Sequence, residues 1–391
     1  MGACPRAISL KLAFAIMLVP VIVATESAQS QTFSVLYSFT GSPDAANPIA
    51  SLIRDAAGNL YGTTYSGGPS DLGTVFKLDA TGKETVLYAF TGTGGDGEHP
   101  TAGLITDARG NLYGTTEYGG GSSNGTVFRL GASDKETILY TFTGGSDGRY
   151  PRGGLVRDAL GNFYGTTLWG GAYGNGVVFK LGGPHKQTVL HSFADGRDGS
   201  DPYSSLILDK TDNLYGTTLF GGSGYGTVFK VTKAGKETVL HSFNGARGHA
   251  PYAALIQDNT GNLYGTTSSG GTSDGGMVFK LSKAGKETVL YSFTGTSGDG
   301  TYPQAALIRD AAGNLYGTTW KGAGTGCGGI GCGTVFKVDS TGKETVLHIF
   351  TGGTDGGGPV GGLIRDASGN LYGTASEGGV AGYGVVFKLT P

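Results

Sequence analysis

The sequence has no excess of charge of one sign, no membrane-length apolar run and none of the short motifs that mark common catalytic sites. Lys and Arg number 28 against 30 Asp and Glu, a formal net charge of −2. That balance offers no basic stripe for nucleic acid and no polybasic segment for an anionic membrane surface. The N-terminal apolar stretch runs from Leu12 to Ala24, broken by Pro20, short of the roughly 20 residues a spanning helix needs. No Asp-x-Asp-x-Asp-Gly loop with a later Glu suggests calcium. Glycine clusters such as Gly170–Gly176 lack the strand-turn-helix context of a phosphate loop, and no Gly-x-Ser-x-Gly elbow is present. No catalytic residue, metal or cofactor is therefore assigned.

What the chain has in abundance is glycine, 76 of 391 residues, against a usual share near 7%. No Gly-X-Y period accompanies it, and aromatics at 10% are too frequent for a disordered tail. Glycine interleaved with aromatic and β-branched runs reads as short strands joined by tight turns. The first 30 residues read differently. Arg6 and Lys11 precede the apolar stretch, and Ala28-Gln29-Ser30 supplies small residues for cleavage. Residues 1–30 are expected to be a secretory signal peptide. Cys4 leaves with it and lacks a lipoprotein context. Residues 31–391 are then one domain, secreted or periplasmic.

Four motifs each recur seven times. L-[IV]-x-D ends at Asp55, Asp107, Asp158, Asp209, Asp258, Asp310 and Asp366; N-[LF]-Y-G-T places Tyr61, Tyr113, Tyr164, Tyr215, Tyr264, Tyr316 and Tyr372. V-F-[KR]-[LV] follows, then [VI]-L-[YH]-x-F, closing at Phe39, Phe90, Phe142, Phe193, Phe243, Phe293 and Phe350. Each is a short run bounded by Gly, Asp, Asn or Pro, the strand signature. Asp-x-x-(Gly/Asp)-Asn and, in most repeats, Gly-Lys-Glu-Thr supply hairpin turns. The four motifs are thus strands A, B, C and D of an antiparallel meander, and a four-stranded unit every ~50 residues fits a propeller blade. The phase supports a ring. Strand D, Phe33 to Phe39, comes first and alone, and A-B-C comes last, so the N-terminal strand is expected to complete the last blade. The predicted fold is all-β, a seven-bladed β-propeller.

The repeat L-I-x-D-x-x-G-N-L-Y-G-T-T…G-G…G-x-V-F-K-L resembles the tandem GloVer repeat of bacterial "choice-of-anchor" surface proteins, over essentially all of residues 33–391. It is more distantly similar to the blades of two-component-regulator propellers. The resemblance implies an extracellular protein and brings no established activity. A variable C-terminal anchor often follows such repeats, and the chain ending at Pro391 favours a freely secreted or periplasmic form.

In a meander, A–B and C–D turns share one rim and B–C and D–A loops the other. The first set is nearly uniform and the second divergent, so function is expected on the B–C/D–A rim. Tyr118, Trp169, Phe220 and Trp320 fall just after the G-T-T of strand B, while His99, Tyr150, His249 and Tyr302 stand near the D–A prolines, as do Tyr203 and Tyr252. Exposed rings beside hydroxyls and amides suit a glycan or an extracellular protein; the bland alternative is that they seal the blade tops. His191, His241 and His348 occupy the Tyr slot of strand D and are expected to pack, and the strand-A aspartates to cap turns. Cys327 and Cys332, in the longest B–C loop, are expected to form a disulfide in an oxidising compartment. The expected function is a monomeric extracellular binding module with a glycan or protein ligand, without nucleic acid and without a membrane span after cleavage. The alternatives are a polysaccharide-active lyase or glycosidase, or a purely structural envelope protein.

Overall fold

A computed structural model describes residues 1–2, 31–131, 135–246, 248–296 and 298–391. The signal-peptide segment and Cys4 lie outside the described residues.

The strands form seven four-stranded antiparallel sheets, each in the order A-B-C-D. In blade 2, for example, A is Ile105–Thr106, B is Leu112–Thr116, C is Thr126–Leu130 and D is Glu136–Thr141. Blade 1 begins at Ile53 and blade 7 at Ile364. Blade 7 takes its outer strand from the N-terminus: Thr32–Ser38 pairs with Val385–Thr390. Every D strand meets C with a register shift at the second C–D step, as between Val127 and Phe128 in blade 2. Such a bulge increases local twist.

Each of the seven hydrophobic clusters spans two adjacent blades, and one of them joins Tyr372 and Val386 of blade 7 to Leu60 and Phe76 of blade 1. The core is therefore a ring of seams. At every seam the Phe ending strand D meets the strand-C Phe of the next blade edge-on, as in Phe90–Phe128 at 5.2 Å and Phe350–Phe387 at 5.3 Å. This geometry suits the ring quadrupole and adds about 1 kcal/mol per pair beyond burial. The strand-B glycine makes room for it: a Cβ on Gly114 would lie 2.7 Å from Phe128 Cζ.

The strand-A aspartates cap turns as expected. Asp107 accepts the backbone N–H of Asn111 at 3.0 Å, its side-chain amide at 2.8 Å and the Tyr113 hydroxyl at 3.0 Å. The tyrosine hydroxyl recurs on the aspartate in every blade. The strand-D histidines also pack as expected. His191 lies edge-on to Phe193 at 4.8 Å, with Nε2 3.2 Å from Asp198. His348 repeats this with Asp355, and in other blades a tyrosine makes the contact, as Tyr140 does with Asp147 at 2.9 Å.

Candidate functional site

The rim carrying B–C and D–A loops is more regular than their sequences suggest. In every blade the residue preceding the D–A proline has left-handed backbone: Asn47, His99, Tyr150, Asp201, Ala250, Tyr302 and Gly358, with φ between 53° and 61°. Non-glycine residues rarely adopt this conformation, and it persists only where surroundings over-determine it. Here two bonds do so. The N–H of Tyr150 donates to Asn124 O of the preceding blade at 2.9 Å, and its carbonyl accepts from Leu168 N–H at 3.0 Å. The same pair of bonds recurs at all seven positions. The proline that follows packs on the glycine before strand C of the preceding blade. A Cβ on Gly125 would lie 2.5 Å from both Pro151 Cδ and Thr116 O.

One residue before each left-handed position, the D–A loop pairs with the B–C loop: Ala46 with Ser66, Glu98 with Tyr118, Thr301 with Lys321. Arg149 pairs with Trp169, Ser200 with Phe220, His249 with Ser269 and Gly357 with Glu377. A rigid seven-spoke frame therefore presents varied side chains. Alternation separates the two residues after G-T-[TA]. The first turns inward, burying Glu117, Leu168, Leu219, Ser268 and Ser376; the second leaves Trp169 39% and Phe220 50% exposed.

The rings are not evenly spread. From blade 1 to blade 3 they form one unbroken row. Tyr65 stacks on His99 at 4.5 Å, His99 meets Tyr118 at 6.0 Å, Tyr118 meets Tyr150 at 5.1 Å, and Tyr150 meets Trp169 at 5.5 Å. The Arg149 guanidinium lies over both Tyr150 and Trp169. The row ends in a groove of about 410 Å³ between Trp169 and Phe220, floored by Asn175, Asp195 and Asp201. Burial raises the Asp201 carboxyl pKa; a hydrogen bond from the Trp169 side chain opposes the rise and the Asp195 charge adds to it.

Nearer the axis, the residue after each rim proline lines a central cavity of about 200 Å³, among them Thr101, Arg152, Tyr203, Tyr252 and Gln304. Arg152 donates to the Glu117 carboxylate through Nε at 2.8 Å and again through NH2, and to the Tyr203 hydroxyl at 3.1 Å. Tyr203 meets Tyr252 edge-on at 5.1 Å. Glu117 is only 1% exposed. Burial first, then the Glu117 charge, raises the Tyr65 hydroxyl, which Arg152 partly offsets. Sequence reading grouped Tyr203 and Tyr252 with the other rim aromatics and did not join them to Arg152 and Glu117, although the Pro-x-small-small-Leu pattern marks the position in every repeat.

The structure thus joins His99, Tyr118, Tyr150 and Trp169, and places Phe220 across a groove from Trp169. The remaining candidates lie apart from that row. His249 Nε2 is 3.4 Å from Asp274 and its ring 5.8 Å from Tyr225, so the two rim histidines do not share a partner. Trp320 is half-buried under the Lys321 ammonium, 4.7 Å from its ring, and Tyr302 is exposed. Cys327 and Cys332 are disulfide-bonded, with Cα atoms 5.3 Å apart. Cys332 O accepts the Gly358 N–H at 2.9 Å, so the disulfide braces the seventh left-handed position. No helix among the described residues is long and apolar enough to cross a membrane, which says nothing of β-barrels.

No curated protein matches the sequence. Among solved structures, the extracellular domain of a candidate one-component system from B. thetaiotaomicron superposes with a TM-score of 0.59 at 10% identity, covering 90% of this chain and 39% of that one. That of a candidate hybrid two-component system from the same organism gives 0.57 at 16%, covering 92% and 41%. This chain therefore spans about two fifths of either. A candidate 6-phosphogluconolactonase from Bacteroides uniformis gives 0.51 at 18%, covering 79% and 86%. At such identities the likeness concerns the fold. Residues 20–159 and 133–331 match one repeat family, and the chain belongs to the Gloeobacter/Verrucomicrobia repeat family.

Proposed function

We propose that the protein is an extracellular binding module that takes a glycan on its B–C/D–A rim, along the row from Tyr65 to Trp169 and into the Trp169–Phe220 groove. The carrying observation is the continuity of that row, four successive ring contacts across three blades. A row of rings, one pair stacked and the others edge-on, beside carboxylates and an amide suits the faces and hydroxyls of sugars. The left-handed frame holds them in place before a ligand arrives, which lowers the ordering cost of binding. Residues 1–30, read as a signal peptide, the Cys327–Cys332 disulfide and the extracellular origin of the two B. thetaiotaomicron domains all support an extracellular location.

The test is a glycan array probed with the purified protein and with a Trp169→Ala/Phe220→Ala double variant. Saturable binding that falls roughly tenfold or more in the variant is expected. Glycan binding that is indifferent to both substitutions removes the groove from the proposal. No glycan binding by either folded protein leaves a protein ligand or a purely structural role.

A second reading, a polysaccharide-active enzyme, rests on the cavity at the axis. Its lining includes no carboxylate, and Glu117, which Arg152 binds, is almost wholly buried, which does not suit the two-carboxylate chemistry of glycosidases. A tyrosine beside an arginine suits proton abstraction in a lyase better. Release of new chain ends from a polysaccharide panel, abolished by Tyr203→Phe, is its signature. A panel without product sets it aside.

A further inference from the structure

The near-zero net charge conceals a strong polarity between the two rims. Pairing of Leu112 with Leu130, and of Leu130 with Glu136, puts A–B and C–D turns at one end of each sheet. The turns touch there: a Cβ on Gly58 would lie 3.8 Å from Ala80 Cβ. Assigned by position in the repeat over residues 31–391, that end carries 21 Lys and Arg against 16 Asp and Glu. The B–C and D–A loops carry 5 against 13.

Exposure sharpens the contrast. Lys83, Lys135, Lys186, Lys236, Lys286 and Lys343, one at each of six C–D turns, are all exposed. So are Arg54, Arg157, Arg309 and Arg365 at the ends of their A strands. The aspartates beside them keep their charge, held in place by local hydrogen bonds, so the formal excess at this end is the five cations by which 21 exceeds 16. The strand-A aspartates are bound by Asn and Tyr, and Asp79 and Asp339 by the N–H groups of their own turns. What this end shows to solvent is a ring of cations on turns of one build, and its groove of about 720 Å³ between the A–B turns of blades 4 and 5 is itself lined by Lys210, Lys230 and Lys283.

We propose that the A–B/C–D rim docks on an anionic lipid surface, with the aromatic rim facing away from it. Point charges spread around a ring suit headgroups that move laterally to meet them. The acidic opposite rim would be repelled, so a single orientation is favoured. Each lysine near such a surface contributes comparably, so attraction accumulates around the ring and is screened by salt.

The test is cosedimentation of the purified protein with phosphatidylglycerol/phosphatidylcholine vesicles and with phosphatidylcholine alone, at low and high salt. The comparison variant carries Lys83→Glu, Lys236→Glu, Lys286→Glu and Lys343→Glu. A Lys→Gln set at the same positions serves if the first variant fails to fold. Salt-sensitive binding to the anionic vesicles only is expected, weakened roughly 100-fold or more by reversal and severalfold by neutralisation. Brominated lipid should leave tryptophan emission unquenched, because Trp169 and Trp320 lie on the other rim. Three results overturn the proposal: no binding to anionic vesicles, binding that ignores salt and headgroup charge, as an apolar insertion through residues 1–30 would, or quenching by brominated lipid. Displacement from the vesicles by a soluble anionic polysaccharide whose own binding is weakened by the same lysine reversals overturns the lipid assignment. Because those lysines lie on the rim opposite the aromatic row, none of these outcomes depends on the glycan reading.

Discussion

At the scale of single residues the protein is a set of side-chain locks used seven times. Asp158 illustrates one: it holds the Asn162 backbone and amide and the Tyr164 hydroxyl, on a tyrosine that is 2% exposed. Asp158→Ala strands all three polar groups and should cost about 2–4 kcal/mol in a denaturant melt, and Tyr164→Phe about 1 kcal/mol. The locks also make the fold acid-sensitive. Burial pushes the Asp107 carboxyl up, but bonds from Asn111, the backbone and Tyr113 outweigh it and hold its pKa at about 2. The same direction holds for the other six. A carboxylate with a depressed pKa stabilises the fold above its unfolded value and loses that contribution as pH falls through the folded one. The thermal midpoint should therefore drop as pH falls from about 4 towards 2. The Asp and Asn of the turn were legible from their fixed spacing. The tyrosine's part was not, because alternation gives the side of the sheet a ring occupies and not where its hydroxyl ends.

At the scale of elements, twist brings the start of each D strand against the end of the preceding one. Glu84, Glu136, Glu237 and Glu344 enter that seam half-buried, each with a buried Oε1 lacking a hydrogen-bond partner among the described residues. Burial, and secondarily Asp44, Asp96, Asp198 and Asp299 respectively, pushes these carboxyls up to about 7. The sign is opposite to that of the locks. A raised carboxyl favours the fold while protonated and loses that contribution as pH rises from its unfolded value, about 4.5, through 7. Stability should therefore peak near about pH 5 and decline towards pH 8. A Glu→Gln variant at the four sites should remove the alkaline decline and gain up to roughly 1 kcal/mol per site at pH 8, after allowance for solvent screening. Thermal melts at both pH values check it; an unchanged decline would show that the seam acids do not cause it. Blade 3 already has the neutral form: Gln187 donates to Asp147 O at 3.1 Å. In sequence, Gly-Lys-Glu-Thr reads as an exposed turn, since nothing local shows that twist lays it against the neighbouring blade.

At the scale of the whole molecule, ring closure was the most legible feature, because an orphan strand D at the start and a missing one at the end have a common solution. Removing residues 31–39 should expose the Val385–Thr390 edge and the seam around Phe387. A lowered thermal midpoint and self-association by light scattering are expected; a monomer of unchanged stability would contradict closure. The rim was legible only in outline. Divergent loops singled out the B–C/D–A end, and alternation after G-T-T separates Glu117 from Tyr118, but the left-handed frame was hidden because residues before proline are ordinarily extended. The charge polarity was hidden by summation over the chain. The most direct test of a binding rim built on the aromatic row uses Trp169 as sole reporter, in a Trp320→Phe variant titrated with glycans that the array retains. A saturable change in Trp169 emission, at the same concentration dependence as binding and lost when Phe220 becomes alanine, is the expected result. Binding that leaves Trp169 emission unchanged would place the ligand elsewhere and contradict the account.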